Sequence, residues 1–163
     1  MTETEDNWDA AQDGAELVAE GEFASAVTVL TELIVRQPSN EYAYFYLGCA
    51  YYELEDYPRA LKSYVKALEI VPGYLGAMLH AGHTLRMLGR HDEAMRMGHA
   101  VLDRAPDDGD ALFLVGTAAY VRGDYAKATT YLERFLHTNP EIEVATEVEG
   151  MLQAIRDKIA DLN

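Results

Sequence analysis

Basic residues are scarce in this chain: 13 Lys and Arg stand against 28 Asp and Glu, a net charge of −15. Nucleic acid and anionic membrane surfaces reward clustered cations, so neither is expected as a direct ligand. Cysteine is scarcer still. Cys49 stands alone, which excludes an internal disulfide and fits a reducing compartment such as the cytoplasm. The longest apolar run, residues 43–52, is far short of the roughly 18 residues that suggest a membrane span. The opening MTETEDNW has no basic residue and no apolar run, so no signal peptide is expected. A phosphate loop, a zinc-protease helix, a nucleophile elbow and a dinucleotide turn are all missing. The expectation is therefore a non-enzymatic chain with no catalytic residues, no cofactor and no metal.

What the chain does have is rings and a period. Tyr42, Tyr44, Phe45, Tyr46, Tyr51, Tyr52 and Tyr57 crowd one short stretch. Around them runs a repeat of 34 residues: Pro38, Pro72, Pro106 and Pro140 are evenly spaced, as are Gly14, Gly48, Gly82 and Gly116, and Ala26, Ala60, Ala94 and Ala128. With proline near 5% of average usage, three further matches at a chosen period arise by chance on the order of once in ten thousand. Each column suits a helix-turn-helix unit. The glycine of a first helix, A, and the alanine of a second, B, permit close approach, and the proline helps to end helix B.

The second repeat, read as Tyr44, Leu47, Gly48, Tyr51, Ala60, Tyr64 and Pro72, resembles the tetratricopeptide (TPR) pattern of large, Leu, Gly, Tyr, then Ala, aromatic and Pro. The resemblance implies an all-α fold, an α-solenoid of four helix-turn-helix units at about residues 7–40, 41–74, 75–108 and 109–142. An acidic tail over 1–6 and a C-terminal capping helix over 143–163 complete the chain. Residues 1–40 carry nine acids and one base, and the tail is read as solvated and partly disordered. Repeat one has Asp13 and Ala10 where repeat two has Leu47 and Tyr44, as suits a terminal unit. Gly98 replaces the large residue of Leu30, Tyr64 and Leu132, leaving a gap for a neighbouring side chain to fill. Asn139 and Pro140 are placed to start the last helix, and Asp107, Asp108, Gly109 and Asp110 read as a turn with a helix cap rather than a calcium loop.

On a helical wheel, Tyr44, Leu47, Gly48 and Tyr51 share the packing side of helix A, while Tyr42, Phe45, Cys49 and Tyr52 form a second stripe with Tyr46 beside it. In a TPR array, as the resemblance implies, that stripe lines the concave groove. Its counterparts are Gly76, Leu79, His83 and Arg86 in repeat three, with His80 and Met87 alongside, Asp110, Phe113, Thr117 and Tyr120 in repeat four, and Trp8, Ala11, Ala15 and Val18 in repeat one. Such a groove suits a protein or peptide segment, extended or helical, with apolar or aromatic anchors. The same rings could instead fill space between successive A helices. A His80, His83 and Cys49 metal site can be drawn, but hydrogen-bonding or partly solvated histidines are the preferred reading, whose titration near pH 6.5 would let pH tune peptide binding.

The expected function is an adaptor that binds a partner segment. Two alternatives stand beside it. The chain is similar to the TPR chaperones of type III secretion translocators through YFYLGCAYYELEDYPRALKSYVKALEI and HAGHTLRMLGRHDEA, which implies holding an apolar client segment, although its fourth full repeat departs from their usual three. The other alternative is a self-assembling scaffold, a homo-oligomer. The TPR groove type that clamps the chaperone tails of Hsp70 and Hsp90 is not matched, since Ala11, Ala15, Cys49, Gly76 and His80 stand where its Lys, Asn and Arg would be.

Overall fold

The computed structural model describes residues 3–161, the side chains from residue 6 onward. The described residues form nine α-helices: α1 (Glu3–Ala19), α2 (Phe23–Arg36), α3 (Glu41–Glu53), α4 (Tyr57–Ile70), α5 (Leu75–Met87), α6 (His91–Leu102), α7 (Gly109–Val121), α8 (Tyr125–Leu136) and α9 (Ile142–Ala160). The B helices α2, α4, α6 and α8 start 34 residues apart, and so do the A helices α3, α5 and α7. The chain divides into two compact units, Met1–Leu88 and Gly89–Asn163, with the boundary inside repeat three.

In the first unit the glycine column shows its purpose. A Cβ on Gly48 would lie 2.6 Å from Cε1 of Tyr64, so the bare backbone of α3 is the surface on which that ring packs. Tyr64 is fully buried, and removing such a side chain from water contributes roughly 1.5–3 kcal/mol. Gly14 takes Leu30 in the same way. A core of Ala11, Ala26, Leu30, Leu33, Ala43, Leu47 and Ala50 joins α1, α2 and α3. At the turn into α3, buried Asn40 accepts from the Ala43 amide and donates to the Asn7 carbonyl (2.8 Å) and to Gln37 Oε1.

The second unit repeats the device: a Cβ on Gly116 would meet Leu132 Cδ2 at 2.6 Å. The gap expected at Gly98 is filled by Val115, whose Cγ2 would be 2.5 Å from a Cβ there, so α7 draws close to the backbone of α6. Arg122 at the end of α7 is ion-paired with Asp92 of α6. Asp108 caps α7 by accepting from the Ala111 amide at 2.9 Å, as the acidic turn suggests. Helix α9 packs on α8 and buries Val148, Leu152 and Ile155, a stripe spaced by four and three.

Two expectations change. Residues Glu3 to Asp6 belong to α1 and are not a disordered tail; Met1 and Thr2 lie outside the described residues, as does Leu162. Helix α9 starts after Glu141, which makes no side-chain cap, while Asn139 takes a left-handed backbone, φ 55°, and so belongs to the preceding turn. A further column also emerges at the A-to-B turns: Gly21, Gly89 and Gly123 have φ of 81°, 74° and 76°, and the equivalent residue in repeat two is Glu55, at 59°. That conformation costs an L-residue roughly 1–2 kcal/mol. No helix among the described residues is long and apolar enough to cross a membrane.

Candidate functional site

The crowded rings of α3 do not stand free. In the first unit they interlock with rings from α1, from α5 and from the turn before α5. Trp8 meets Tyr42 edge-on at 5.5 Å between centroids and Tyr46 at 5.9 Å. Tyr42 reaches Tyr74 at 6.0 Å, and Tyr74 lies 5.0 Å from Phe45. Phe45 is at the centre of the group, also touching Tyr46, Tyr64 and His80. Tilted and edge-to-face pairs of this kind contribute about 0.5–1.5 kcal/mol beyond their burial. Tyr52 pairs separately with Tyr57 at 5.4 Å.

Their packing gives each residue a different availability. Phe45, Cys49 and Tyr52 lie against the core of Ala60, Tyr64 and Ala81, and Tyr42 and Tyr46 against the core of α1, α2 and α3. All five are half-buried. Trp8, at 38% exposed, and His80 are the open members of the group, and Met87 at the end of α5 is 45% exposed. Leu79, His83 and Arg86 are half-buried. The Nε of Arg86 is buried without a hydrogen-bond partner.

Electrostatically the face is quiet. Burial pushes the Cys49 thiol up to about 11, so at neutral pH it is a thiol rather than a reactive thiolate. Burial likewise raises Tyr46, Tyr52, Tyr64 and Tyr74. His83 is lowered to about 4, first by burial and then by the charge of Arg86 and by His80. The expectation that this histidine titrates near 6.5 is therefore corrected: it stays neutral through the physiological range. Cys49 Sγ and the Tyr64 hydroxyl approach the same nitrogen, His80 Nδ1, at 4.0 and 3.4 Å. Among the described residues no group of three or more His, Cys, Asp or Glu could hold a metal ion.

In the second unit Phe113 packs on Phe135 at 5.2 Å, and Tyr120 lies 6.3 Å from Tyr125. Thr117 is buried, its hydroxyl donating to the Phe113 carbonyl at 2.8 Å, so it presents no polar group at the surface.

Tyr74 is the residue that sequence reasoning missed. It stands at the helix-cap position held by Asn40 and Asp108 in the neighbouring repeats; those two cap through their side chains and Tyr74 does not. A forgone cap costs about 1 kcal/mol, and what stands in its place is a ring against Phe45 and Tyr42. Comparing Asn40, Tyr74 and Asp108 as a column would have exposed the substitution.

Paired helices on a 34-residue period, with a glycine of helix A seated under a large residue of helix B, define an all-α repeat protein of the α-solenoid class. Tetratricopeptide repeat family models match residues 41–74 and 79–141, and the chain belongs to that family, whose members are generally interaction scaffolds. Among curated proteins it is 26% identical over 128 residues to intraflagellar transport protein 70A of Xenopus laevis, a match covering 78% of this chain and 20% of that one. The chain spans a fifth or less of the length of the curated relatives it matches. Among solved structures, MamA from Desulfovibrio magneticus superposes with a TM-score of 0.77 at 18% identity, covering 96% of both chains. The second TPR domain of human RPAP3, solved in complex with an HSP70 peptide, gives 0.65 at 22% identity over 71% of this chain and 97% of that one.

Proposed function

We propose that the chain is a non-catalytic adaptor that holds a partner's peptide segment against the ring-bearing side of α1, α3 and α5, in a reducing compartment such as the cytoplasm. One observation carries the reading: Trp8 and His80 lie open at the edge of an interlocked, largely uncharged aromatic cluster whose other rings are already supported by the core. Rings held in this way offer contact area with little side-chain entropy left to lose. The RPAP3 domain, of the same fold, was solved with a peptide bound, which supports a segment rather than a small molecule as the ligand.

The test compares capture from native lysate by the wild-type chain and by Trp8→Ala. An exposed anchor at a binding hot spot loses about 2 kcal/mol or more of binding on truncation, and losing the Tyr42 and Tyr46 contacts should lower stability by about 1–3 kcal/mol while leaving the chain folded. Loss of a captured protein by a variant that still melts cooperatively, above the temperature of the capture, is the expected result. Equal capture by both chains would sink the proposal. Light scattering across a dilution series distinguishes the rival outcome of self-assembly, which alone requires a concentration-dependent mass.

A further inference from the structure

A second groove lies on the other side of α3, away from the interlocked rings. Two clefts, of about 360 and 250 Å³, share Tyr51 and Arg59 and so run on from one another between α2 and α4. Leu47 and Tyr51 of α3 form the floor, and Val27 and Ile34 of α2 one wall. The opposite rim is cationic. Arg59, Lys62 and Lys66 are spaced by three and four, which sets them on one face of α4, and all three are exposed.

In a chain of net charge −15 this is a local reversal of sign. Among the described residues Asp56 is the sole acid that lines either cleft, and it is already engaged, capping α4 through the Arg59 amide and pairing with the Arg59 guanidinium. Arg59 also lies over the Tyr51 ring at 4.7 Å. Lys66 is paired with Glu69 on its own helix, 2.6 Å away and outside the groove, an exposed pair of the kind that exchanges partners at little cost. Wall residues Ala24 to Ile34 extend over about 15 Å of helix, enough for roughly five residues of extended chain.

We infer that the α2–α3–α4 groove binds an extended acidic peptide segment, with carboxylates along the Arg59, Lys62 and Lys66 rim and an apolar side chain on the Leu47 and Tyr51 floor. Charge complementarity selects the partner: the rest of the acidic chain repels it, and this rim attracts it.

The test is fluorescence anisotropy with a labelled, Glu-rich probe of about ten residues carrying one central Phe. Matched probes replace Glu by Lys, or Phe by Ser. The acidic probe should bind, the Lys probe should not, and the Ser probe should bind about tenfold more weakly. Lys62→Glu/Lys66→Glu should weaken the acidic probe by about tenfold or more. Arg96→Glu/Arg156→Glu, an equal change of charge in the other unit, should weaken it much less. If the first double variant does not fold, Lys62→Gln/Lys66→Gln supplies the same readout with the charge merely removed. Absence of binding, equal binding of the acidic and Lys probes, an undiminished affinity in the Lys62 and Lys66 variants, or preference for a single-stranded oligonucleotide over the acidic probe would each overturn the inference.

Discussion

Helices α3 and α7 hold the same place in their repeats, and each sets a bare glycine against the large residue of its own B helix, Gly48 under Tyr64 and Gly116 under Leu132. Around that shared contact they diverge. Helix α3 carries Tyr42, Tyr44, Phe45, Tyr46, Tyr51 and Tyr52, all half-buried, whereas α7 is buried without interruption from Leu114 to Ala119. The difference shows how little of an A helix the fold requires. Gly, Leu and Ala at the packing positions bring the helices together, and α7 completes its surroundings with Val115, Thr117 and Ala118. The rings of α3 exceed that requirement, which is why they draw attention as a surface for other molecules.

The sharpest way to break the comparison is to remove the large residue over each glycine. Tyr64→Ala should destabilise by about 3–5 kcal/mol and Leu132→Ala by about 2–5 kcal/mol. Tyr64→Ala should also loosen Phe45 and His80, which rest on that ring. Urea denaturation gives the losses and near-ultraviolet dichroism the loosening. A small loss at both positions would remove the glycine contact as the common element of the two repeats.

The next effect concerns the column of Cys49, His83 and Thr117, where three repeats place a thiol, an imidazole and a hydroxyl. Burial holds His83 at about 4 in the folded chain against 6.5 ordinarily. Between those values the unfolded chain binds a proton that the folded chain refuses, so stability is intact above pH 6.5 and falls as pH drops toward 4, by about 3 kcal/mol in all. In His83→Gln this part of the acid sensitivity should vanish, while that of the carboxylates remains. Denaturation midpoints measured for both chains across that window check it; parallel curves would mean that His83 is not held neutral by the fold.

The smallest effect tests the turns. Repeat two alone places a side chain, Glu55, in the left-handed position that the other repeats give to Gly21, Gly89 and Gly123. Glu55→Gly should therefore stabilise by about 0.5–1 kcal/mol, and Gly123→Ala should destabilise by about 1 kcal/mol. Opposite shifts in the thermal midpoint are the expected result. Shifts of the same sign would separate the two turns.

Much of this architecture is legible in the sequence because a repeat prints its contacts at a fixed interval. The proline, glycine and alanine columns place the B helices, and the missing large residue at Gly98 signals a gap that a neighbour must fill, though only the structure identifies Val115 as that neighbour. The turns were less legible. Glu55 breaks the glycine column and hides the shared left-handed position, and Asn139 suggests a helix start although its backbone belongs to the preceding turn. For the candidate face, the wheel separated Tyr42, Phe45, Cys49 and Tyr52 from the packing side, but a wheel knows only its own helix. It could not show that Tyr74 and His80 close over Phe45, or that Tyr51, on the packing side, is half-buried like Tyr52. Those facts depend on which side chains arrive from other helices.

Asn40 has a consequence for motion. A helix at the edge of a packed unit ordinarily frays by itself, at a small fraction of the global unfolding free energy. Here one buried amide links the carbonyl of Asn7, the side chain of Gln37 and the Ala43 amide in the first turn of α3, and Asn7 in turn donates to Glu41 at 2.9 Å. Lifting α1 away would strand polar groups of Asn40 and Glu41 that the fold has taken out of water, at about 1–3 kcal/mol for each group left unsatisfied. Opening of the first helix is thereby coupled to opening of the third, and amide hydrogens in the middle of α1 and at the start of α3 should exchange with solvent on one common timescale.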